Sequence, residues 1–133
     1  MEIQDIVDQI INIAGDYYRL HNKSLCQLTK ESGYLDAHDQ IGEDVLMAAL
    51  EKKQECIQQW ISFSEDQRLS EGLYFRNENG KNIVVYFSTK GGFKETITEY
   101  PTIQMACARF VKYKMELCRQ IALEESEKKK KRK

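Results

Sequence analysis

The chain has 133 residues, 41% of them hydrophobic and 31% charged, which fits one domain with a buried core and excludes a chain too polar to fold. No apolar run is long enough to cross a bilayer, so we expect no membrane span. Residues 1–5 lack the basic start and apolar stretch of a secretory signal, and we therefore expect a cytoplasmic location.

The formal net charge of −1 is unevenly distributed along the chain. Residues 124–133 carry six basic and three acidic side chains, which leaves 14 basic and 18 acidic ones in residues 1–123, or a charge of −4. An acidic body argues against a domain built to neutralise many phosphates, because such domains cluster Lys and Arg. We expect one domain over residues 1–123, a basic tail over residues 124–133, and nucleic-acid contact through the tail alone.

Two amphipathic helices are predicted at the start of the chain. Residues 3–18 place apolar side chains at intervals of three and four, which predicts a helix that ends before His21. Ser24 followed by Gln27 has the form of a capping box and predicts a short helix that ends at Gly33.

A longer helical pattern follows and reaches Ile61. It is predicted to begin near Asp36 or Asp39, either of which can cap a helix. The apolar stripe weakens at residues 51–55, which indicates either two helices with a bend or one helix with a solvated middle. Residues 62–70 have no sustained period and predict a connecting loop.

Residues 71–100 form the predicted β portion, three antiparallel strands in meander order. Turns are expected at Asn79-Gly80, a strong hairpin signal, and at Gly91-Gly92. With two-residue loops at both turns, Arg76 would pair with Ile83, and Tyr86 would pair with Ile97.

That pairing sorts the side chains of the sheet into two faces. The face assigned to the core carries Leu73, Phe75, Val84, Tyr86, Phe93 and Ile97. The opposite, mixed face carries Tyr74, Arg76, Ile83, Val85, Phe87, Lys94, Thr96 and Thr98. A slip of one residue in either turn would exchange these assignments, because side chains alternate along a strand.

A long C-terminal helix is expected to start at Pro101, since the first helical position needs no N–H. Apolar residues recur from Ile103 to Ile121 with helical spacing. Beyond Ala122, glutamates stand four residues before lysines, which can prolong a solvated helix. The expected fold class is α+β: a single domain whose three-stranded antiparallel β-meander packs against N-terminal helices and this long helix.

The four cysteines are Cys26, Cys56, Cys107 and Cys118, and none are closely spaced. Zinc sites and redox motifs use closely spaced pairs, so neither is indicated. Cys107 and Cys118 lie about 16 Å apart along one predicted helix, which is too far for a disulfide. We expect four reduced, mostly buried thiols.

The densest group of possible metal ligands is His38 with Asp36, Asp39 and Glu43. Its spacing matches no metal motif, and the helix dipole explains acidic residues in a first helical turn. We therefore expect no metal, no cofactor and no catalytic residue.

A non-catalytic protein-binding module is the favoured function. The predicted loop and the mixed sheet face adjoin, and acidic charge would speed the encounter with a basic partner. Tyrosine adds a large contact area with few rotatable bonds. The expected contacts are Glu65, Asp66, Arg68, Tyr74 and Arg76. Trp60 is expected in the core, and the oligomeric state stays open.

Two alternatives belong to other functional classes. One is a small hydrolase that uses Glu65 and Asp66 or the His38 region, although paired carboxylates need environments that separate their pKa values. The other is a polyanion-binding protein that acts through the basic tail, because dense positive charge attracts polyanions. The run concerned is Lys128, Lys129, Lys130, Lys131, Arg132 and Lys133.

The stretch WISFSEDQRLSEGLYF at residues 60–75, followed by GKNIVVYF at residues 80–87, resembles a pattern in small bacterial proteins. The layout of helices, a short sheet and a closing helix in an acidic domain is similar to immunity proteins of contact-dependent inhibition and other polymorphic toxin systems. This resemblance implies a protein that neutralises a cognate toxin by binding it. The partner would then be a basic toxin domain.

Overall fold

The computed structural model describes residues 2–67, 72–89, 91–92 and 94–131. These residues form an α+β domain, as predicted, with seven α-helices and one three-stranded antiparallel sheet. The elements are α1 (Ile3–Ile11), α2 (Ile13–Leu20), α3 (Leu25–Ser32), α4 (Tyr34–Ala37), α5 (Glu43–Lys52), α6 (Gln54–Gln67), β1 (Gly72–Glu78), β2 (Lys81–Ser88), β3 (Lys94–Tyr100) and α7 (Ile103–Lys131). A short 3₁₀ turn, His38–Gln40, follows α4.

The first predicted helix is divided at Asn12 into α1 and α2. The Asn12 side-chain amide donates to the carbonyl of Asp8 at 2.7 Å, and this side-chain bond accompanies the break. The other predicted boundaries are confirmed. His21, with φ of 60°, ends α2; the Ser24 hydroxyl caps α3; and Gly33, with φ of 93°, ends α3.

The second helical pattern forms α5 and α6, which are separated at Lys53 where the apolar stripe weakens. This decides between the two predicted alternatives in favour of two helices. The predicted start at Asp36 or Asp39 is wrong, because those residues lie in α4 and in the 3₁₀ turn, and α5 begins at Glu43.

Helix α6 continues to Gln67, so the loop predicted over residues 62–70 is wrong for residues 62–67; residues 68–70 lie outside the described residues. Phe63 and Ser64 are only 3% and 1% exposed. Both lie on the side of the helix that buries Trp60, which prolongs the buried face. The apolar period is lost in the sequence because one buried position is a serine.

The strands are ordered β1-β2-β3. Arg76 pairs with Ile83, as predicted. Ile97 pairs with Val85 instead of Tyr86, so the second predicted pairing is wrong by one residue. The cause is the connection from β2 to β3, which runs over residues 89–93 and is longer than the two-residue loop expected there.

This shift exchanges the two faces of β3. We call the face that carries Phe75 and Val84 the inner face and the opposite one the outer face. Ile97 lies on the outer face, beside Val85, and not on the predicted core face. Three other residues move to the inner face against prediction: Lys94, Thr96 and Thr98. Phe93 lies outside the described residues.

Helix α7 packs across the inner face and supplies the centre of the core. Phe110 of α7 lies with its ring centroid 5.0 Å from that of Phe75, and 6.1 Å and 6.4 Å from those of Trp60 and Phe63. Trp60 is fully buried and donates its Nε1–H to the carbonyl of Ile11 at 3.0 Å. The predicted place of Trp60 in the core is confirmed.

A disulfide between Cys26 and Cys118 joins α3 to α7, with the two Cα atoms 5.0 Å apart. The expectation of four reduced thiols is therefore wrong for this pair. The two residues are 92 positions apart, so only the packing of α3 on α7 brings them together. Cys56 and Cys107 are free and buried, as expected.

The long helix α7 is capped by Thr102, whose hydroxyl accepts a hydrogen bond from the Met105 N–H at 3.2 Å. Pro101 therefore precedes the cap and does not occupy the first helical position. The helix extends to Lys131, as the Glu–Lys spacing indicated. Among the described helices, none combines the length and the apolar character needed to cross a membrane.

Candidate partner-binding surface

The end of α6 lies along β1 and closes the edge of the sheet there. The Ser64 hydroxyl donates to the carbonyl of Phe75 at 3.0 Å and accepts from its N–H at 2.9 Å. One side chain thus pairs both backbone groups that Phe75 directs away from β2. This contact positions the last turn of α6 beside β1.

Glu65 and Asp66 follow Ser64 on that last turn, and both are exposed. Asp66 accepts a hydrogen bond from the hydroxyl of Tyr18 in α2. Burial raises the pKa of Tyr18, and the neighbouring Asp66 carboxylate raises it further. Arg68, the third predicted contact of this segment, lies outside the described residues.

The other two predicted contacts, Tyr74 and Arg76, lie on the outer face of β1. The register places Tyr74, Val85 and Ile97 in one row across the three strands. Arg76, Ile83 and Glu99 form the next row. Ile83 and Val85 are buried, but they lie outside the main core cluster.

The outer face has an apolar centre and a charged rim. Ile97 is 56% exposed, a high value for a large hydrophobic side chain. Arg76 Nε lies 3.0 Å from Glu78 Oε2, in an ion pair that lacks hydrogen-bond alignment. A depression of about 470 Å³ lies at one end of this face. Its lining residues are Glu78, Asn79, Lys81, Ile83, Ile97 and Glu99.

The described helices that contact the sheet pack on its inner face or along its edge, while the central outer-face residues Ile83 and Val85 are only 8% and 4% exposed. Helix α7 packs on the inner face, and α6 packs along the edge of β1. In the part of the chain that the structure describes, no helix lies over the outer face. The end of α6 thus lies beside β1, whose outer face carries Tyr74 and Arg76. The same face also carries Ile97 and Glu99, which the predicted register places elsewhere or leaves out.

A second polar group, which the sequence did not predict, lies where α7 meets α4 and the 3₁₀ turn. Lys112 Nζ donates to the Tyr34 hydroxyl at 2.8 Å and to the carbonyls of His38 and Ile41 at 2.9 Å and 2.6 Å. These bonds use all three hydrogens of the ammonium group. Lys112 therefore anchors the turn to α7 and has no hydrogen left for another acceptor.

Glu116 completes this group. It accepts hydrogen bonds from Tyr34 and from Arg119 Nε, the latter at 2.9 Å, and lies 3.4 Å from Lys112 Nζ. Burial acts to raise the pKa of Glu116, but these bonds and the neighbouring cations outweigh it, so the pKa is lowered. The pairs are mutually satisfied, which is typical of a structural brace. The spacing of Lys112 and Glu116 along α7 was a signal, but their partner Tyr34 comes from a distant segment.

The residues of the hydrolase alternative are divided between two places. His38 Nδ1 lies 4.0 Å from Glu116 Oε1, beside the brace. Asp66 is bound to Tyr18 at the other site. Within residues 2–67, 72–89, 91–92 and 94–131, no group of three or more His, Cys, Asp or Glu is arranged to hold a metal ion.

The basic run continues the last turns of α7. The side chains of residues 128–130 are exposed, while the side chain of Lys131 and all of residues 132–133 lie outside the described part. One turn earlier, Glu125 forms an ion pair with Lys30 of α3, in which Oε2 lies 3.6 Å from Nζ. The run is thus carried by a helix at least as far as Lys131, and its polyanion role stays a prediction.

Neither a protein-family model, nor a curated protein, nor a solved structure matches this chain.

Proposed function

We propose that this chain is a non-catalytic protein-binding module, and that its outer sheet face and the end of α6 contact the partner. The observation that carries the proposal is the row of Tyr74, Val85 and Ile97, an apolar strip with an exposed end and no described helix over it. Apolar surface of this kind, rimmed by polar groups, is typical of interaction sites.

The charges around this strip favour a basic partner. Glu65, Asp66, Glu95 and Glu99 are exposed carboxylates at the end of α6 and on β3. Opposite charge on the partner would speed association and set its orientation. Tyr74 and Arg76 belong to the residue types that dominate binding energy in protein interfaces.

A narrower hypothesis is that the partner is a basic toxin domain and that the chain is its cytoplasmic immunity protein. The acidic body supports it. The Cys26–Cys118 disulfide argues against the cytoplasmic location in this hypothesis, because disulfides form and persist mainly in oxidising compartments. Alkylation of free thiols at the moment of cell lysis would test the location. In a cytoplasmic protein, Cys26 and Cys118 are expected to be reduced and therefore labelled.

The binding surface can be tested with two neighbouring residues of β3. Ile97→Asp places a carboxylate on the outer face, and Thr98→Asp places the same charge on the inner face of the same exposed strand. Tagged wild-type protein and both variants would be used to capture partners from the native cell, and a captured protein would then be purified and titrated.

Wild type and Thr98→Asp are expected to bind the same protein with similar affinity. Ile97→Asp is expected to weaken binding by at least about tenfold, the effect of a buried, unpaired charge at an interface. Circular dichroism would verify that each variant is folded. Equal binding by all three proteins, or the absence of a specific partner, would overturn the proposal.

A further inference from the structure

The two edges of the sheet differ in what their backbone groups contact. The N–H and C=O of Phe75 bond to Ser64 and so point away from β2. Phe75 lies opposite Val84, and Val84 lies opposite Thr98. Because hydrogen-bonded and non-hydrogen-bonded pairs alternate in an antiparallel sheet, the backbone groups of Val84 and Thr98 point at each other.

The same alternation fixes the direction of the remaining groups on β3. The N–H and C=O of Glu95, Ile97 and Glu99 point away from β2, toward the free edge. Within the described residues, none of these groups has a hydrogen-bond partner. From Lys94 to Glu99, every residue of β3 is exposed. The edge is therefore open to a further strand.

The side chains of these three residues lie together on the outer face. Glu95 and Glu99 flank Ile97, and neither has an ion-pair partner among the described residues. If β3 paired antiparallel with β3 of a second copy over its full length, Glu95 of each copy would lie opposite Glu99 of the other. Like charges directly opposite each other destabilise a strand pair, which argues against a second copy.

We infer that β3 is the docking edge for an extended segment of a partner protein with the pattern basic–x–apolar–x–basic. Its main chain would pair with Glu95, Ile97 and Glu99, its apolar side chain would lie beside Ile97, and its basic side chains would face the two carboxylates. The pattern reads the same in both directions, so it holds for parallel and antiparallel addition. This inference deepens the proposed function, on which it rests, by naming the segment that the outer face recognises.

The probe is the peptide acetyl-Thr-Lys-Thr-Val-Thr-Lys-Thr-amide, with a control peptide in which glutamate replaces both lysines. Binding would be followed by amide chemical shifts and by hydrogen exchange of the labelled, full-length protein. We expect the amides of Glu95, Ile97 and Glu99 to become protected, while those of Thr96 and Thr98 change little because they already bond to β2. Added salt should weaken binding, and the glutamate peptide should not bind.

Ile97→Pro removes the outward N–H and leaves the β2–β3 bonds intact, because that N–H is not part of the ladder. Ile97→Val is the matched control, since valine keeps the N–H and has as many side-chain carbons as proline. Ile97→Pro is expected to lower peptide affinity about tenfold, and Ile97→Val to leave it nearly unchanged. Unchanged affinity in Ile97→Pro, or no protection at the three amides, would overturn the inference.

The captured partner separates this inference from the proposed function. If the partner binds Ile97→Pro as well as wild type but does not bind Ile97→Asp, strand addition is wrong and the outer-face proposal stands. If neither variant affects capture, both are wrong. Loss of binding in both, with Ile97→Val unaffected, supports both.

Discussion

Strands β1 and β3 both flank β2, yet they have opposite surroundings. The edge of β1 is closed by Ser64 and its inner side chains, Leu73 and Phe75, are buried. The edge of β3 is open, and its residues are exposed on both faces from Lys94 to Glu99. This difference indicates that the β1 side of the sheet supplies stability, whereas the exposed β3 side is where we propose that the partner binds.

The largest expected effect is a difference in the free energy of unfolding between variants at the two ends of one row across the sheet. Phe75, Val84 and Thr98 lie side by side on the inner face. Phe75→Ala should lower the free energy of unfolding by about 3–5 kcal/mol, because it leaves a cavity against Phe110. Thr98→Ala should change it by less than about 0.5 kcal/mol. Urea unfolding of both variants measures this, and similar losses would abolish the distinction between the edges.

The disulfide stabilises the covered side, where α3 meets α7. Cys26→Ser should lower the free energy of unfolding by about 2–4 kcal/mol, because the bond closes a long loop in the unfolded chain. Thermal unfolding with and without reductant measures the effect. Reductant should destabilise wild type and leave Cys26→Ser unaffected; a wild type indifferent to reductant would contradict the prediction.

Ser64 tests the closed edge directly. Ser64→Ala leaves the N–H and C=O of Phe75 unpaired in a buried place, at an expected cost of about 2–3 kcal/mol. Ser62→Ala, on the exposed side of the same helix, is the control and should cost less than about 0.5 kcal/mol. At the open edge, Ile97→Pro should cost less than about 1 kcal/mol. A larger loss in Ile97→Pro than in Ser64→Ala would reverse the comparison.

The smallest effect concerns pH and the brace behind the sheet. The pKa of Glu116 is lowered in the folded protein. Its contribution to stability is therefore complete above its unfolded value of about 4.5 and is lost as the pH falls through its folded value. The stability difference between wild type and Glu116→Gln should narrow as the pH decreases below that value. Urea unfolding at several pH values measures it, and a constant difference would contradict the assigned ionisation.

The sequence predicted those parts of the fold that local chemistry determines. Ser24 and Gly33 bound α3 because a hydroxyl cap and a left-handed residue act within one turn. The Asn79-Gly80 hairpin has its predicted pairing for the same reason. The sequence failed where distant segments decide. Ser64 is helical and buried because β1 bonds to it, and Cys26 meets Cys118 only through the packing of two helices.

The candidate surface was predicted in part. Tyr74 and Arg76 were placed correctly because they precede a turn of defined length. Ile97 was assigned to the core because a connection that contains two glycines does not reveal its own length, and one residue of slip reverses every side chain of β3. Ile97, which we now expect at the centre of the surface, is therefore a residue whose face the sequence could not specify.

The position of α7 in the chain has a consequence for biosynthesis. This helix contacts α3, α5, α6 and all three strands, and it supplies Phe110 to the core and Cys118 to the disulfide. While the ribosome is still adding α7, the apolar faces of the earlier elements that pack on this helix are uncovered. The core of this domain therefore cannot be completed until most of α7 has emerged from the ribosome.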